Sequence, residues 1–175
     1  EKAVKFLCDK GHKKIAVLAA GKSDQSISKL RIEGYRNALK SKGIDINEKL
    51  IRHTKNNENI QVIENGYKLM NELLESGEEF TAVYSISDSM AIGACKAILD
   101  SGKRIPQDYS VVGFDGLDIT YYYNPSITTI RQPVEAMARE TTKILFDLIN
   151  NKATNQHKVF EAELVEREST LKLSK

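Results

Sequence analysis

The chain has 175 residues, 41% of them apolar and 29% charged, which is enough for one core of ordinary size. Its 26 basic and 24 acidic side chains leave a net charge of +2, without the concentrated basic face of a dedicated nucleic-acid binder. No stretch approaches the roughly 20 apolar residues of a membrane helix, and Glu1 to Lys5 do not read as a signal peptide, so a soluble cytoplasmic protein is expected.

The spacing of Ala3, Val4, Leu7 and Cys8 predicts an opening helix that Gly11 ends. Lys14 to Ala20 (KIAVLAA) predicts a strand covered on both faces. Ser28 to Lys42 predicts a helix with Leu30, Tyr35, Ala38 and Leu39 inside, stopped by Gly43, and Leu50 to His53 a weaker strand. Ile60 to Glu75 predicts a helix with Ile63, Tyr67, Met70 and Leu74 on one side and Gly77 beyond it. Phe80 to Ile86 (FTAVYSI) predicts a strand, followed by a helix to about Asp100 with Asp88 as its cap and Gly102 as its stop. Ser110 to Phe114 and Ser126 to Ile130 predict two more strands, Val134 to Asn150 a last helix, and Val159 to Val165 a final alternating strand. Cys8 and Cys95 sit inside helical patterns without Cys-x-x-Cys spacing and read as buried free thiols of a reducing compartment. Alternation of strand and helix with short connections predicts an α/β fold: an open, doubly wound, mostly parallel sheet with helices on both faces.

Catalytic signatures are missing. There is no G-x-G-x-x-G, no P-loop and no G-x-S-x-G elbow. His12, His53 and His157 are far apart and read as exposed loop or strand-edge residues rather than metal ligands, and no cofactor is expected. A binder that is not an enzyme is the resulting expectation. Ligands of open sheets bind at the carboxyl ends of the strands. Those ends carry Gly21, Ser23, Asp24 and Ser26 leading to Arg31, then Ser87 and Asp88, then Asp115, and finally Arg131 and Gln132. Carboxylates accept from hydroxyl groups and a guanidinium donates two aligned bonds, so this set suits a polyhydroxylated ligand. Each residue also has a plainer reading. Arg31 can be a surface ion-pair partner, Asp88 a helix cap, Asp115–Gly116 a turn, and Gln132 a helix-entry residue.

Four segments resemble the effector-binding domain of LacI/GalR-type bacterial transcription regulators: GHKKIAVLAA (11–20), RIEGYRNALKSKGI (31–44), SDSMAIGACKAILDSGKRIPQDYSVVGFDG (87–116) and NPSITTIRQP (124–133). The resemblance continues to Glu161–Ser169. It implies a two-lobed, periplasmic-binding-protein-like fold that closes on a small effector, a sugar, a sugar derivative or a purine. By residue match, Arg31 falls on an effector-clamping arginine, Asp115 on a carboxylate that grips effector hydroxyls, Ser87 on a polar cleft position and Gln132 at the hinge crossing. The cleft wall near Ile60 and Gln61 lacks the aromatic frequent in the family, and Gly116 stands where a second aspartate is frequent. The resemblance further implies a homodimer through Met90, Ile92, Tyr122 and Tyr123; the plainer reading is that these side chains cover their own sheet.

The implied organisation has residues 1–130 as the C-terminal lobe, 131–156 as a hinge crossing plus a helix of the other lobe, and 157–175 as a return strand and tail. A DNA-binding helix-turn-helix and most of the first lobe are expected outside these residues, with operator DNA reached only through them. On this reading the chain is the allosteric, sugar-sensing part of a repressor. The alternative is a solute-binding protein of a sugar transport system. Val134, Met137, Ala138, Leu145, Leu148 and Ile149 form an apolar stripe on the last helix, expected to meet another copy, its own lobe or residues outside the chain.

Overall fold

The computed structural model describes residues 1–21, 27–55, 62–152 and 157–173, with Ile27 described by its backbone alone. Among the described residues six strands form one sheet, in the order β2-β1-β3-β4-β5-β6. They are β1 (Ile15–Ala19), β2 (Ile51–His53), β3 (Ala82–Ser85), β4 (Ser110–Asp115), β5 (Thr128–Arg131) and β6 (Glu163–Val165). The first five run parallel, and only β6 is antiparallel, against β5. Helices α1 (Lys2–Asp9) and α2 (Ile27–Ser41) pack on each other, as do α3 (Ile63–Glu75) and α4 (Asp88–Asp100), while α5 (Ile119–Tyr122) and α6 (Val134–Ile149) follow β4 and β5. Every residue of β1 and β3 is buried, as expected of strands covered on both faces.

Local chemistry sets the boundaries. Gly43 and Gly102 follow α2 and α4 with φ of 65° and 76°, the left-handed region that ends a helix without a Cβ clash. The α3–α4 contact is unusually close because glycines form it. A Cβ on Gly66 would lie 2.0 Å from the Met90 carbonyl oxygen, and one on Gly93 2.0 Å from that of Ile63. Consequently α3 buries Gly66, Leu69, Met70 and Leu73, a face one residue away from the expected one, and Ile63 is exposed.

Other expectations are corrected. Leu30 is 68% exposed, because the inner face of α2 runs through Ile32, Tyr35, Ala38 and Leu39, and Leu30 lies about 200° from Ile32 on the helical wheel. His12 is fully buried rather than exposed. The last strand is three residues, not seven, because its partner β5 stops at Arg131 and the chain there turns through Gln132 and Pro133 into α6; Val159 stands in solvent. Cys95 is buried and Cys8 half-buried, both free.

After β6 the chain crosses beneath the amino ends of β4 and β5. Ser169 pairs with Val111 and Thr128, the Leu171 amide donates to Ser110 Oγ, and the Leu173 amide donates to the Lys10 carbonyl. In contrast α6 buries none of its residues. Val134, Leu145, Phe146 and Ile149 are exposed, so this helix does not fold back on the sheet.

Candidate functional site

Parallel pairing brings the carboxyl ends of β1 to β5 to one edge of the sheet. Asp115 is the last residue of β4 and stands in register with Arg131, the last of β5. Arg31, early in α2, reaches over this edge. Its guanidinium lies 3.8 Å above the Phe114 ring, donates to the Ile86 carbonyl, and places Nη2 3.8 Å from Asp115 Oδ1. Gln132 closes the group from the other side. Its side-chain amide donates to Asp115 Oδ1 at 2.9 Å, and its backbone amide donates to the Asp115 carbonyl. Three of the four expected ligand residues therefore meet, one from α2, one from β4 and one from the turn after β5.

The Arg31 and Asp115 side chains are each 13% exposed, so their charges act in a partly dehydrated setting where Coulomb terms are larger than in bulk water. Beneath them Tyr84 is buried, and burial pushes its phenol up to about 12, which keeps it neutral. The group combines a planar donor, a carboxylate and a side-chain amide on an aromatic floor, a donor and acceptor set that matches the hydroxyls of a small polyol.

Ser87, the fourth expected ligand residue, is fully buried and accepts from the Met90 amide, so it is the cap of α4. Asp88, the expected cap, instead turns inward. Its Oδ2 accepts from the Gly116 and Leu117 amides at 2.8 and 2.7 Å, and its Oδ1 from the Thr129 hydroxyl at 2.6 Å. A serine one position earlier already satisfies the free amide of the first turn, which leaves the aspartate for a longer-range task.

The turn after β4 departs from ordinary backbone. Asp115 has φ of 128° and Gly116 φ of 83°. A Cβ on Gly116 would lie 2.6 to 2.7 Å from Arg131, so the turn lies tight against β5 and only glycine fits. Positive φ at a non-glycine residue persists only where neighbours impose it, and such strain clusters at ligand sites. Ser23, Asp24, Ser26, Ile60 and Gln61, also expected along this rim, lie outside the described residues.

The four expected interface residues are placed unevenly. Tyr122 is 77% exposed and packs edge-on against exposed Tyr121, with ring centroids 5.2 Å apart. Ile92 and Tyr123 are half-buried against the core, and Met90 has no exposed surface to offer. Arg167, from the tail, braces this turn from within by donating to Thr120 Oγ1 and the Ile127 carbonyl. Sequence reasoning missed Phe114, Asp88 and Arg167 as supports of the rim and the tyrosine turn.

Comparison with known proteins agrees with this fold. Residues 4–170 match the family described as periplasmic binding protein-like domain. The HTH-type transcriptional regulator MalR of Clostridium butyricum is 40% identical over 168 residues, 96% of this chain and 48% of the regulator. A sugar-binding transcriptional regulator of the LacI family from Escherichia coli, solved with phosphate, superposes with a TM-score of 0.88 at 34% identity, over 98% of this chain and 60% of that one. The transcriptional regulator CelR in complex with cellobiose superposes with a TM-score of 0.85 at 32% identity, over 95% of this chain and 49% of that one. The chain thus spans about half the length of the curated relatives it matches.

Proposed function

The chain belongs to the periplasmic binding protein-like domain family, and from that premise we propose that it is the effector-sensing part of a LacI-type transcriptional regulator that takes a small sugar-like ligand at the rim around Arg31 and Asp115. The observation that carries this reading is the convergence of Arg31, Asp115 and Gln132 at the carboxyl edge of the sheet. In the bound state Asp115 accepts from two ligand hydroxyls, Arg31 donates to ring or hydroxyl oxygens, Gln132 bridges them, and Ser87 belongs to the floor. Residues 1–130 act as one lobe, 131–156 as the crossing to a second lobe, and 157–175 as the return. The exposed α6 face meets that second lobe.

Ligand held between two lobes favours the closed arrangement, and linkage carries that preference to operator affinity in a dimer built on α4 and the tyrosine turn. The relatives matched are regulators of transcription rather than enzymes, which favours this reading over a solute-binding component of a transport system and supports a cytoplasmic location. Among the described residues no helix is long and apolar enough to cross a membrane.

The test is calorimetric titration of the protein with a panel of pentoses, hexoses, cellobiose, sugar phosphates and purines. Saturable binding of a sugar that weakens in both Arg31→Ala and Asp115→Ala is the expected result. Binding of a purine alone, or sugar binding that neither substitution changes, overturns it.

A further inference from the structure

Asp88 is a charged side chain with no exposure at all, and the reading above gives it no ligand to hold. Its contacts are specific. One oxygen takes the consecutive amides of Gly116 and Leu117, and the other takes the Thr129 hydroxyl. Gly113 stands opposite Thr129 in the ladder, and a Cβ there would lie 2.2 Å from Asp88 Oδ1. Glycine at 113 therefore leaves the space that the carboxylate fills.

The two amides belong to the peptide units that follow Asp115, so the direction in which they point is set by the backbone angles of Asp115 and Gly116. Amides aimed at a buried carboxylate make strong, charge-assisted hydrogen bonds. Those bonds are the compensation that a φ of 128° at a non-glycine residue requires. Release them, and Asp115 relaxes to an ordinary extended φ, which swings its carboxylate away from Gln132 and Arg31.

We propose that Asp88 is a positioning residue of the ligand rim: it fixes the Asp115–Gly116 turn in its strained conformation and so holds the Asp115 carboxylate between Arg31 and Gln132. The inference deepens the reading of Asp115 as the ligand-gripping group and rests on it for its functional meaning, while its structural half is tested without ligand. Burial pushes the Asp88 carboxyl above its ordinary range, and the donors from Thr129, Leu117 and Gly116 oppose that push, in keeping with a carboxylate retained for its contacts.

The experiment compares Asp88→Ala, Asp88→Asn and Asp115→Ala with the unaltered chain by amide NMR. In Asp88→Ala the Gly116 and Leu117 amides move upfield and exchange at least about tenfold faster, as expected for donors that lose a charged acceptor. The Gln132 side-chain amide moves to the position it takes in Asp115→Ala. Asp88→Asn keeps one oxygen for the two amides and an NH2 group for Thr129, so it moves the amides part of the way and leaves Gln132 in place. If Asp88→Ala does not fold, Asp88→Asn decides the matter alone, and unmoved Gly116 and Leu117 amides there overturn the proposal. So do unmoved Gln132 signals in a folded Asp88→Ala.

Cellobiose is the probe for the functional half. Asp88→Ala weakens its binding about tenfold or more while Asp88→Asn stays within about threefold, at temperatures where all variants are folded. Equal affinity in Asp88→Ala and the unaltered chain overturns the proposal. Failure of the unaltered chain to bind any sugar of the panel counts against the functional reading only, and the NMR comparison then decides the positioning role.

Discussion

Arg31 Nη2 stands 3.8 Å from Asp115 Oδ1, a near contact rather than a bidentate pair, because the guanidinium is committed to the Phe114 ring and the Ile86 carbonyl. An ion pair held slightly apart, with little water around it, suits an oxygen-bearing guest between the two groups. If the rim binds as proposed, Asp115→Ala removes the acceptor and leaves ligand hydroxyls unpaired, at a cost of about 1–3 kcal/mol, or roughly 5- to 150-fold in affinity. Arg31→Lys keeps the charge but loses the planar donor fork and the stacking on Phe114, so it too weakens binding. Isothermal titration with cellobiose checks both; full affinity in Arg31→Lys shows that charge alone is what the ligand needs.

A second expectation concerns how tightly the scaffold beneath the rim is packed. Gly66→Ala puts a methyl group 2.0 Å from the Met90 carbonyl oxygen and drives α3 off α4. Overpacking against backbone costs about 3 kcal/mol or more, which lowers the melting temperature by roughly 6–12 °C in a chain of this size. Gly43→Ala meets no atom within 4 Å and bears only its φ of 65°, so its cost is about 1 kcal/mol. Thermal melts followed by circular dichroism rank the two. A Gly66→Ala melt no lower than that of Gly43→Ala contradicts the close helix contact.

Much of this architecture can be read from the chain. Buried parallel strands leave continuous apolar runs such as IAVLA, and the glycines at 43, 77 and 102 mark helix ends with positive φ. Arg31, Asp115 and Gln132 are legible because the open-sheet rule puts strand carboxyl ends on one edge whatever the loops do. What stays hidden is contact between distant segments. Asp88 in a serine–aspartate pair looks like a cap, since a cap and a buried strut use the same residue at the same place. Hydrophobic periodicity assigns no weight to glycine, so the face of α3 that carries Gly66 escapes it. His12 reads as a surface residue because its partners, Thr81 and Leu171, lie far along the chain.

Helix α6 offers a test of a different kind. None of its residues is buried, and Val134, Leu145, Phe146 and Ile149 are exposed. Leu145→Lys with Ile149→Lys therefore changes the unfolding free energy of the monomer by no more than about 0.5 kcal/mol, the range of surface substitutions. An exposed apolar face of this kind also favours association at high concentration. Sedimentation velocity should show self-association of the unaltered chain that the double substitution reduces. A large stability loss in the double variant, with no change in association, indicates that α6 packs on its own sheet in solution.

His12 gives the fold a pH dependence whose sign follows from its contacts. The Leu171 carbonyl can only accept, so Nε2–H donates to it at 3.0 Å; in the neutral ring that burial favours, Nδ1 then accepts from the Thr81 hydroxyl at 2.9 Å. Burial holds the imidazole below its ordinary value of 6.5; the Leu171 bond opposes this, and the Lys10 charge adds to it. As pH falls through 6.5 the unfolded chain takes up a proton that the native ring refuses, so stability is full above that value and declines below it. The first part to loosen is the tail that His12 helps to clamp, where Leu171 bonds to Ser110 and Leu173 to Lys10. His12→Gln can still donate to Leu171 but does not titrate. It melts lower than the unaltered chain near pH 7.5, yet its melting temperature falls less between about pH 7.5 and about pH 5.5. Calorimetric melts across that interval, with hydrogen exchange of the Leu173 amide, measure both effects. Equal slopes in the two proteins assign the acid sensitivity to other groups and remove His12 from it.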